Sequence, residues 1–258
     1  MFNYEPNGCF IAETNHDSVG HVFSINYGKL GWIGLLIVKA GYRGKSIGTL
    51  LMKKAIEYLL NQGVETIKLE GVPEVPSLYR KLGFVNEYDS LRFVRDRKET
   101  APDLKMRYVS PLEPAAIDRV AAFDEKYFGA NRMKVINQLF QEYPTHCFVA
   151  RPDTIICGYI MCRKAETGYK LGPWICDQTH TETVEELLAT CLSSLKQDNV
   201  YVGVPSVNKA AIKTLNEFGF EQCLERSMPV KSIRMRLGKE LSNECLTGVF
   251  AIGGPMKG

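Results

Sequence analysis

The sequence lacks a long hydrophobic run. Its longest strongly apolar stretch, Leu30–Val38, is much shorter than the roughly 20 apolar residues that a membrane-spanning helix needs. The first residues contain neither the basic segment nor the apolar segment of a signal peptide. These absences predict a cytoplasmic protein that does not act in a membrane.

The sequence also lacks a strong excess of charge of one sign. It has 32 Lys and Arg against 29 Asp and Glu, which gives a net charge of +3. This balance is too small to predict nucleic acid as a partner. With 258 residues, of which 45% are hydrophobic, the chain is expected to form one or two globular domains of about 100–150 residues each.

Metal-binding patterns are missing as well. None of the eight cysteines forms a Cys-x-x-Cys pair, and the four histidines have no spacing typical of a metal site. Most cysteines, such as Cys191, lie inside apolar strand or helix patterns. We therefore expect reduced cysteines packed in a core, and no bound metal.

The order of strands and helices in the first 96 residues is typical of an α/β protein. Apolar runs and helical spacing predict strands over residues 9–13, 19–25, 30–38, 66–69 and 91–94. They predict a helix from Ile47 that stops at Gly63, and a shorter helix over 76–82. The strand at 91–94 is expected to close this set.

The second half repeats this pattern 136 residues later. Leu51 and Leu59 correspond to Leu187 and Leu195, and the pair Gly83-Phe84 corresponds to Gly219-Phe220. The repeat predicts two copies of one unit. We place the first copy at residues 1–97 and the second at 98–258, with the charged segment 95–103 as the linker.

The second copy has a longer front end than the first. It is predicted to begin with a strand over 105–109 and helices over 114–128 and 133–143, before a strand over 146–151. The first copy lacks the strand and both helices. Either the native chain extends upstream of Met1, which we favour, or the first copy is naturally minimal.

A glycine-rich and basic turn, Gly41–Gly48, lies between a buried strand and a helix. Its glycines permit close approach of a ligand, the helix offers unpaired N–H groups, and Arg43 and Lys45 add positive charge. These features predict a cradle for phosphate or pyrophosphate. The alternative is a solvated basic turn. A Walker P-loop is excluded, because Lys39 stands where that motif needs a glycine.

With this turn the sequence resembles the GNAT acyltransferase superfamily. The family pattern Gln/Arg-x-x-Gly-x-Gly/Ala is matched at residues 43–48, with Ser46 in the place of the inner glycine. The family's Leu-Tyr-x-x-x-Gly-Phe is matched at 78–84. The resemblance covers residues 9–96, and the second half is similar to the divergent domain of tandem acetyltransferases.

The resemblance implies an α/β (α+β) fold of two tandem GNAT units. Each would have a mixed, mostly antiparallel twisted sheet flanked by helices, and the first would be shortened at its front. It also implies acetyl-CoA as cosubstrate, with its pyrophosphate on the turn and its pantetheine along the end of the strand that precedes it. The implied cofactor-binding residues are Leu36, Ile37, Val38, Arg43, Gly44, Lys45, Ser46, Ile47, Gly48 and Thr49.

The family chemistry is direct attack of an amine on the thioester. Tyr79 holds the position of the general acid that protonates the leaving thiolate, or else it only packs or contacts CoA. Glu70 ends a strand at the expected cleft and is a candidate base, or else an exposed strand-end carboxylate. Val72 stands where the family often has asparagine, so one polar contact is missing.

The second copy is expected not to bind CoA in the usual way. Its equivalent turn, 179–184, has no glycine and contains Glu182, which would repel phosphate, and Leu215 replaces the tyrosine. Thr183 and Glu186 have the spacing of a capping box. Four further residues are expected either to line the acceptor pocket or to belong to a structural core: Tyr127, Phe128, Arg132 and Trp174.

Together these observations predict an N-acetyltransferase that acetylates an amine of a small molecule from acetyl-CoA. Two alternatives stay open: a non-catalytic acyl-CoA-binding regulator, and an acetyltransferase acting on protein N-termini or lysines. The sequence does not identify the acceptor or the acyl-chain preference, and it leaves open whether the protein forms a homodimer.

Overall fold

A computed structural model describes residues 4–14, 16–73, 75–96, 104, 107–196, 198–223, 231–241 and 244–258. The chain divides into two compact units. Unit 1 combines residues 1–87 with 233–242 and 255–258, and unit 2 combines 88–232 with 243–254. Each unit therefore draws on both halves of the sequence. The predicted division at residues 97 and 98 stays a prediction, and most of the predicted linker lies outside the described residues.

Unit 1 is built on a mixed sheet with two helices. The strands are β1 (Cys9–Thr14), β2 (Asp17–Asn26), β3 (Leu30–Val38) and β4 (Thr66–Gly71), and the helices are α1 (Ile47–Asn61) and α2 (Pro76–Lys81). Strands β1, β2 and β3 pair antiparallel, whereas β3 and β4 pair parallel. The predicted elements of this region are confirmed to within a few residues at their ends.

The fifth strand of unit 1 comes from the second half of the sequence. Strand β12 (Lys231–Gly238) pairs antiparallel with β4 through residues 233–238. The expectation that residues 91–94 close this set is wrong, because they lie in strand β5 (Val85–Arg95), whose residues from Tyr88 onward belong to unit 2. Local patterning identifies a strand, but its partner is a long-range choice that the pattern does not encode.

Unit 2 repeats the mixed architecture and adds the predicted front end. Its further strands are β6 (Val109–Pro111), β7 (Cys147–Ala150), β8 (Gly158–Lys164), β9 (Tyr169–Cys176), β10 (Val200–Pro205), β11 (Phe220–Gln222) and β13 (Val249–Ala251). Its helices are α3 (Ile117–Phe128), α4 (Met133–Glu142), α5 (Thr181–Ser193) and α6 (Lys209–Glu217). The order is β5-β10-β9-β8-β7-β6, and only the β9–β10 pair is parallel among the described pairings. Part of the strand predicted at 105–109 lies outside the described residues.

The core of unit 1 lies between α1 and the sheet. The buried stripe of the helix consists of Leu51, Met52, Ala55 and Leu59, which pack against side chains of β2, β3 and β4. Burial of each large aliphatic side chain contributes about 1.5–3 kcal/mol. Packing along this stripe fixes the start of α1, and hence the basic turn before it, relative to the ends of the strands.

In unit 2, the four residues with two possible roles belong to the core. Trp174 is fully buried beside Phe250, and Tyr127 and Phe128 are buried as well. Arg132 is buried and pairs with Asp124, with 2.6 Å between Nη2 and Oδ1. All eight cysteines are free thiols, and six of them are buried, as predicted.

The capping-box interpretation of α5 is wrong. The helix begins at Thr181, so Thr183 lies inside its first turn and its hydroxyl donates to the carbonyl oxygen of His180 at 2.8 Å. The Glu186 carboxylate instead accepts the backbone N–H groups of Arg107 and Tyr108, each at 3.0 Å. The spacing predicted the helix start to within three residues, but not the partner of the carboxylate.

Candidate active site

Strands β3 and β4 of unit 1 pair only over their first halves. The parallel pairing runs from Leu30 opposite Thr66 to Ile33 opposite Leu69 and then stops. Immediately afterwards Leu35 adopts a left-handed conformation, with φ of 53°, and the register between β2 and β3 shifts. A bulge of this kind bends a strand away from its neighbour. The two strand ends therefore border a gap in the sheet.

A cavity of about 840 Å³ occupies this gap. Its volume lies within the range of small-molecule sites, about 300–1,000 Å³. All but one of the predicted site residues line it: Leu36, Ile37, Val38, Arg43, Gly44, Ser46, Ile47, Gly48, Thr49, Glu70 and Tyr79. Lys45 lies just outside, with its Nζ 5.3 Å from the centre of the Tyr42 ring. The structure thus brings together residues that the sequence separates by up to 43 positions.

The turn before α1 presents a row of backbone N–H groups to this cavity. Within the described part of the chain, no protein acceptor bonds to the amides of residues 44–49. At Gly41 and Gly44 no atom lies within 4 Å of the place where a Cβ would stand. The turn is therefore open to a ligand, and the positive end of the α1 dipole favours an anion there.

Ser46 is strained at the centre of this turn. It adopts the left-handed conformation, with φ of 61° and ψ of 6°, at the position where the resemblance expects a glycine. This conformation costs a residue with a side chain about 1–2 kcal/mol. Its hydroxyl makes no cap hydrogen bond to the helix. The conformation of the turn is thus kept although the residue that best suits it is absent.

The turn itself carries positive charge. Arg43 and Lys45 lie in it, and residues 18–56 contain no Asp or Glu. The Nε of Arg43 donates to the carbonyl oxygen of Val38 at 3.1 Å, which holds the guanidinium beside the turn. Because no carboxylate of this stretch opposes these charges, the cradle suits a phosphate or pyrophosphate group.

Tyr79 lies in the cavity wall on α2. Its ring packs edge-on against Phe84, with 6.3 Å between the ring centres, and the residue is 8% exposed. Burial raises the pKa of its hydroxyl. Among the described residues no protein group bonds to that hydroxyl. The phenol is therefore protonated at neutral pH and available to a molecule in the cavity, which suits a proton donor.

Gly71, the last residue of β4, makes room for Tyr79. A Cβ at Gly71 would lie 2.8 Å from Cε2 of Tyr79, which is closer than real contacts allow. Gly71 was not predicted as a site residue from the sequence. A glycine at the end of a buried strand, a few residues before the motif tyrosine, was the available signal.

The Glu70 side chain is fully buried and pairs with Arg234 of β12, with 3.0 Å between Oε1 and Nη2. The two residues stand opposite each other in the β4–β12 register, and the Arg234 guanidinium lies 4.4 Å from the Trp32 ring. The alternative of an exposed carboxylate is therefore wrong. Arg234 was missed because it lies 164 residues away in sequence. The role of Glu70 as a base stays a prediction.

The sequence analysis also missed Pro255 and Met256, which line the same cavity. Both belong to unit 1, although they follow the second half of the repeat. No motif or periodicity marks them, since their placement depends on contacts with residues more than 200 positions earlier.

The equivalent positions of unit 2 carry a different arrangement. His180 precedes α5 and Glu182 lies in its first turn, with 3.5 Å between their side chains, and the Asp177 carboxylate accepts the N–H of Thr179 at 2.9 Å. Leu215, the counterpart of Tyr79, is fully buried in the core. The Asp177 carboxylate thus already accepts one backbone amide of this segment, and the Glu182 carboxylate would repel a bound anion.

The described ranges contain neither a membrane-spanning helix nor a metal-binding cluster. Every helix there is too short or too polar to span a membrane. No group of three or more His, Cys, Asp or Glu side chains in those ranges is arranged to hold a metal ion.

Known proteins match both halves of this chain. The model of the acetyltransferase (GNAT) family matches residues 1–84, and the model of the acetyltransferase (GNAT) domain matches residues 120–241. A curated relative, holothin acyltransferase from Pseudoalteromonas sp. (strain SANK 73390), is 29% identical over 248 residues, which cover 95% of this chain and 79% of the relative.

Solved structures agree with these matches. The crystal structure of a provisionally assigned acetyltransferase from Pyrococcus horikoshii has a TM-score of 0.81 and 25% identity, over 100% of this chain and 82% of that one. A tandem GNAT protein from the clavulanic acid biosynthesis pathway shares the fold, with a TM-score of 0.60 and 14% identity, over 92% of this chain and 85% of that one. The chain belongs to the GNAT superfamily and is an acyltransferase with two GNAT domains in tandem.

Proposed function

We propose that unit 1 transfers an acetyl group from acetyl-CoA to an amine of a small molecule, with both bound at once in its cavity. The strongest support for this proposal is the position of two groups in unit 1. Tyr79 and the residues of 44–49 other than Lys45 line the same cavity, and the amides of that turn have no protein acceptor among the described residues, so that an anion cradle and a proton donor can serve one bound molecule.

The residues of the cavity fit acetyl-CoA. The amides of the turn, the start of α1 and the Arg43 guanidinium would hold its pyrophosphate. The pantetheine arm has amide groups of its own, and the end of β3 offers backbone groups on the side that faces away from β2. Residues 36–38 would pair with that arm as a neighbouring strand does.

Acetyl-CoA would supply the activated thioester, and the chain would supply orientation and proton transfer. Backbone N–H groups at the end of β3 would donate to the carbonyl oxygen as negative charge develops on it. The Tyr79 hydroxyl would donate its proton to the sulfur that leaves when the new amide bond forms. Glu70 lines the cavity, but its carboxylate is buried, so it is our candidate to take the amine proton through water.

An acceptor that is a small molecule is supported by the relative named holothin acyltransferase, whose name denotes acyl transfer to holothin. Unit 2 is proposed not to bind CoA, because in the segment equivalent to the cradle the Asp177 carboxylate already accepts the N–H of Thr179 and Glu182 adds a negative charge.

The experiment is a panel of small amines assayed for release of free CoA from acetyl-CoA, with products identified by mass spectrometry. Wild type should acetylate some members of the panel. Tyr79→Phe should lower kcat by about 10²-fold or more, the usual contribution of a general acid, and should leave acetyl-CoA binding intact. Tyr143→Phe, at the end of α4 in unit 2, is the matched control and should behave as wild type.

Three outcomes would contradict the proposal. The first is tight binding of acetyl-CoA by wild type with no amine acetylated, which would indicate a regulator. The second is acetylation of peptide N-termini or lysines in preference to every small amine. The third is turnover by Tyr79→Phe at the wild-type rate, which would show that Tyr79 is not the general acid.

A further inference from the structure

We propose that Met256 forms the wall of the amine-binding part of the cavity and sets the size of the acceptor. This inference deepens the proposed function of unit 1 and rests on it. It concerns a segment, Pro255–Lys257, that belongs to no family motif and that neither the repeat nor the turn predicts.

The segment is fixed to unit 1 by three hydrogen bonds. Trp32 Nε1 donates to the carbonyl oxygen of Pro255 at 3.1 Å, and the Tyr27 hydroxyl donates to that of Lys257 at 2.9 Å. Lys257 Nζ donates to the Tyr4 hydroxyl at 2.6 Å, and the lysine is itself buried. Met256 lies between these anchors, so its backbone position is defined on both sides.

Met256 lies directly over the point where the sheet opens. Gly34 is the first residue of β3 beyond the last pair with β4, Ile33 opposite Leu69. A Cβ at Gly34 would stand 2.9 Å from Cα of Met256. The segment can approach the strand this closely because Gly34 has no side chain. Met256 and Pro255 consequently border the cavity at its opening between the strands.

The segment and α1 lie on opposite faces of β3. A Cβ at Gly31 would stand 2.8 Å from Leu59 of α1, whereas one at Gly34 would meet Met256. Residues three apart on a strand point to opposite faces. In the proposed function α1 and its turn hold acetyl-CoA on their own face. The amine then has to reach the thioester from the other face, past Met256.

The surroundings indicate the kind of amine. Met256 and Pro255 are apolar, and Glu70, which lines the same cavity, has a buried carboxylate that pairs with Arg234. A polycation would gain little from a carboxylate that is already paired. We therefore infer a primary amine on a compact and largely apolar scaffold, with the thioether of Met256 packed against that scaffold.

The test compares Met256→Ala and Met256→Trp with wild type on primary amines of increasing bulk at saturating acetyl-CoA. Leu60→Ala, at a 52% exposed position of α1, is the matched control. Met256→Ala should raise kcat/KM for bulky amines relative to small ones by at least tenfold, the scale expected when a pocket gains room for one or more methylene groups. Met256→Trp should shift the ratio the other way. The Kd for acetyl-CoA should stay within twofold in both.

Tyr27→Phe provides a second variant. It removes the hydroxyl that donates to the carbonyl oxygen of Lys257, and it loosens the segment without changing the Met256 side chain. It should relax the size preference in the direction of Met256→Ala, by a smaller factor. Equal melting temperatures for all variants would show that the fold is retained.

Two results would overturn the inference. The acceptor profile of Met256→Ala might match that of Leu60→Ala, or the variant might change the preference among acyl-CoA chain lengths while the acceptor profile stays the same. Failure of the proposed function has a different signature. In that case wild type itself acetylates no amine of any size, and the inference falls with it.

Discussion

Gly71 and Tyr79 are in such close contact that a Cβ on the glycine would lie 2.8 Å from Cε2 of the tyrosine ring. The end of β4 therefore sets the position of the phenol proposed as the proton donor. A change at Gly71 should therefore alter the position of the Tyr79 hydroxyl in the cavity.

Gly71→Ala should displace the Tyr79 ring. The added methyl group overpacks a buried contact, at a cost of about 1–3 kcal/mol in the free energy of unfolding. We expect kcat to fall by at least tenfold, because the hydroxyl moves away from the sulfur it protonates. The Kd for acetyl-CoA should change less than kcat. Urea unfolding, kinetics and calorimetry check the three statements, and unchanged kcat in a destabilised variant would count against Tyr79 as the donor.

The loss of kcat at high pH should follow the deprotonation of the Tyr79 hydroxyl. Burial raises the pKa of this hydroxyl, so the protonated form persists above the ordinary tyrosine pKa of about 10. A step that needs the protonated form should keep its rate up to that pH and lose it only at higher pH. Measurement of kcat from pH 7 to 10.5 checks this. A decline with a midpoint clearly below 10 would require another donor or a differently placed tyrosine.

Ser46→Gly should stabilise the protein. The residue is left-handed, which glycine adopts without the steric cost that serine carries. The expected gain in the free energy of unfolding is about 0.5–1 kcal/mol, since glycine also loses more backbone entropy on folding. Ser46→Ala keeps the strain and serves as the control in urea unfolding. A glycine variant no more stable than the alanine variant would argue against this conformation of the turn.

Arg234→Leu should cost more stability than the double substitution with Glu70→Leu. The single change leaves a buried carboxylate without its partner, which typically costs about 3–5 kcal/mol. Removing both charges avoids that penalty. Urea unfolding of wild type, both single variants and the double variant forms a mutant cycle. Additive costs of the two single changes would show that the ion pair is not the source of the effect.

The sequence predicted most of the local structure and half of the residues that line the cavity. Their roles in binding and catalysis stay predictions. Residues 43–48 and Tyr79 were identified because a glycine-rich turn before a helix and a tyrosine before Gly83-Phe84 are local signals. Strand β3 was predicted at its exact bounds because it is a continuous apolar run. These features depend on neighbours in sequence, which a single chain displays openly.

The features that were missed depend on contacts between distant residues. Arg234 reaches Glu70 only because β12 pairs with β4, and the pattern of β12 does not name its partner. Met256 reaches Gly34 through anchors such as Tyr27, more than 200 residues earlier. Gly71 was overlooked for another reason. A glycine in the sequence indicates that another group packs closely against the backbone, but it does not identify that group.

The central claim is that the turn of unit 1 holds the phosphates of acetyl-CoA. Calorimetric titration with acetyl-CoA, of wild type and of Arg43→Glu, tests it most directly. Arg119→Glu, on an exposed position of α3 in unit 2, is the control for the change in net charge. We predict one binding site per chain in wild type and in the control, and affinity reduced by at least tenfold in Arg43→Glu, since charge reversal replaces attraction with repulsion. Binding that survives Arg43→Glu undiminished, or a second site per chain, would contradict the account.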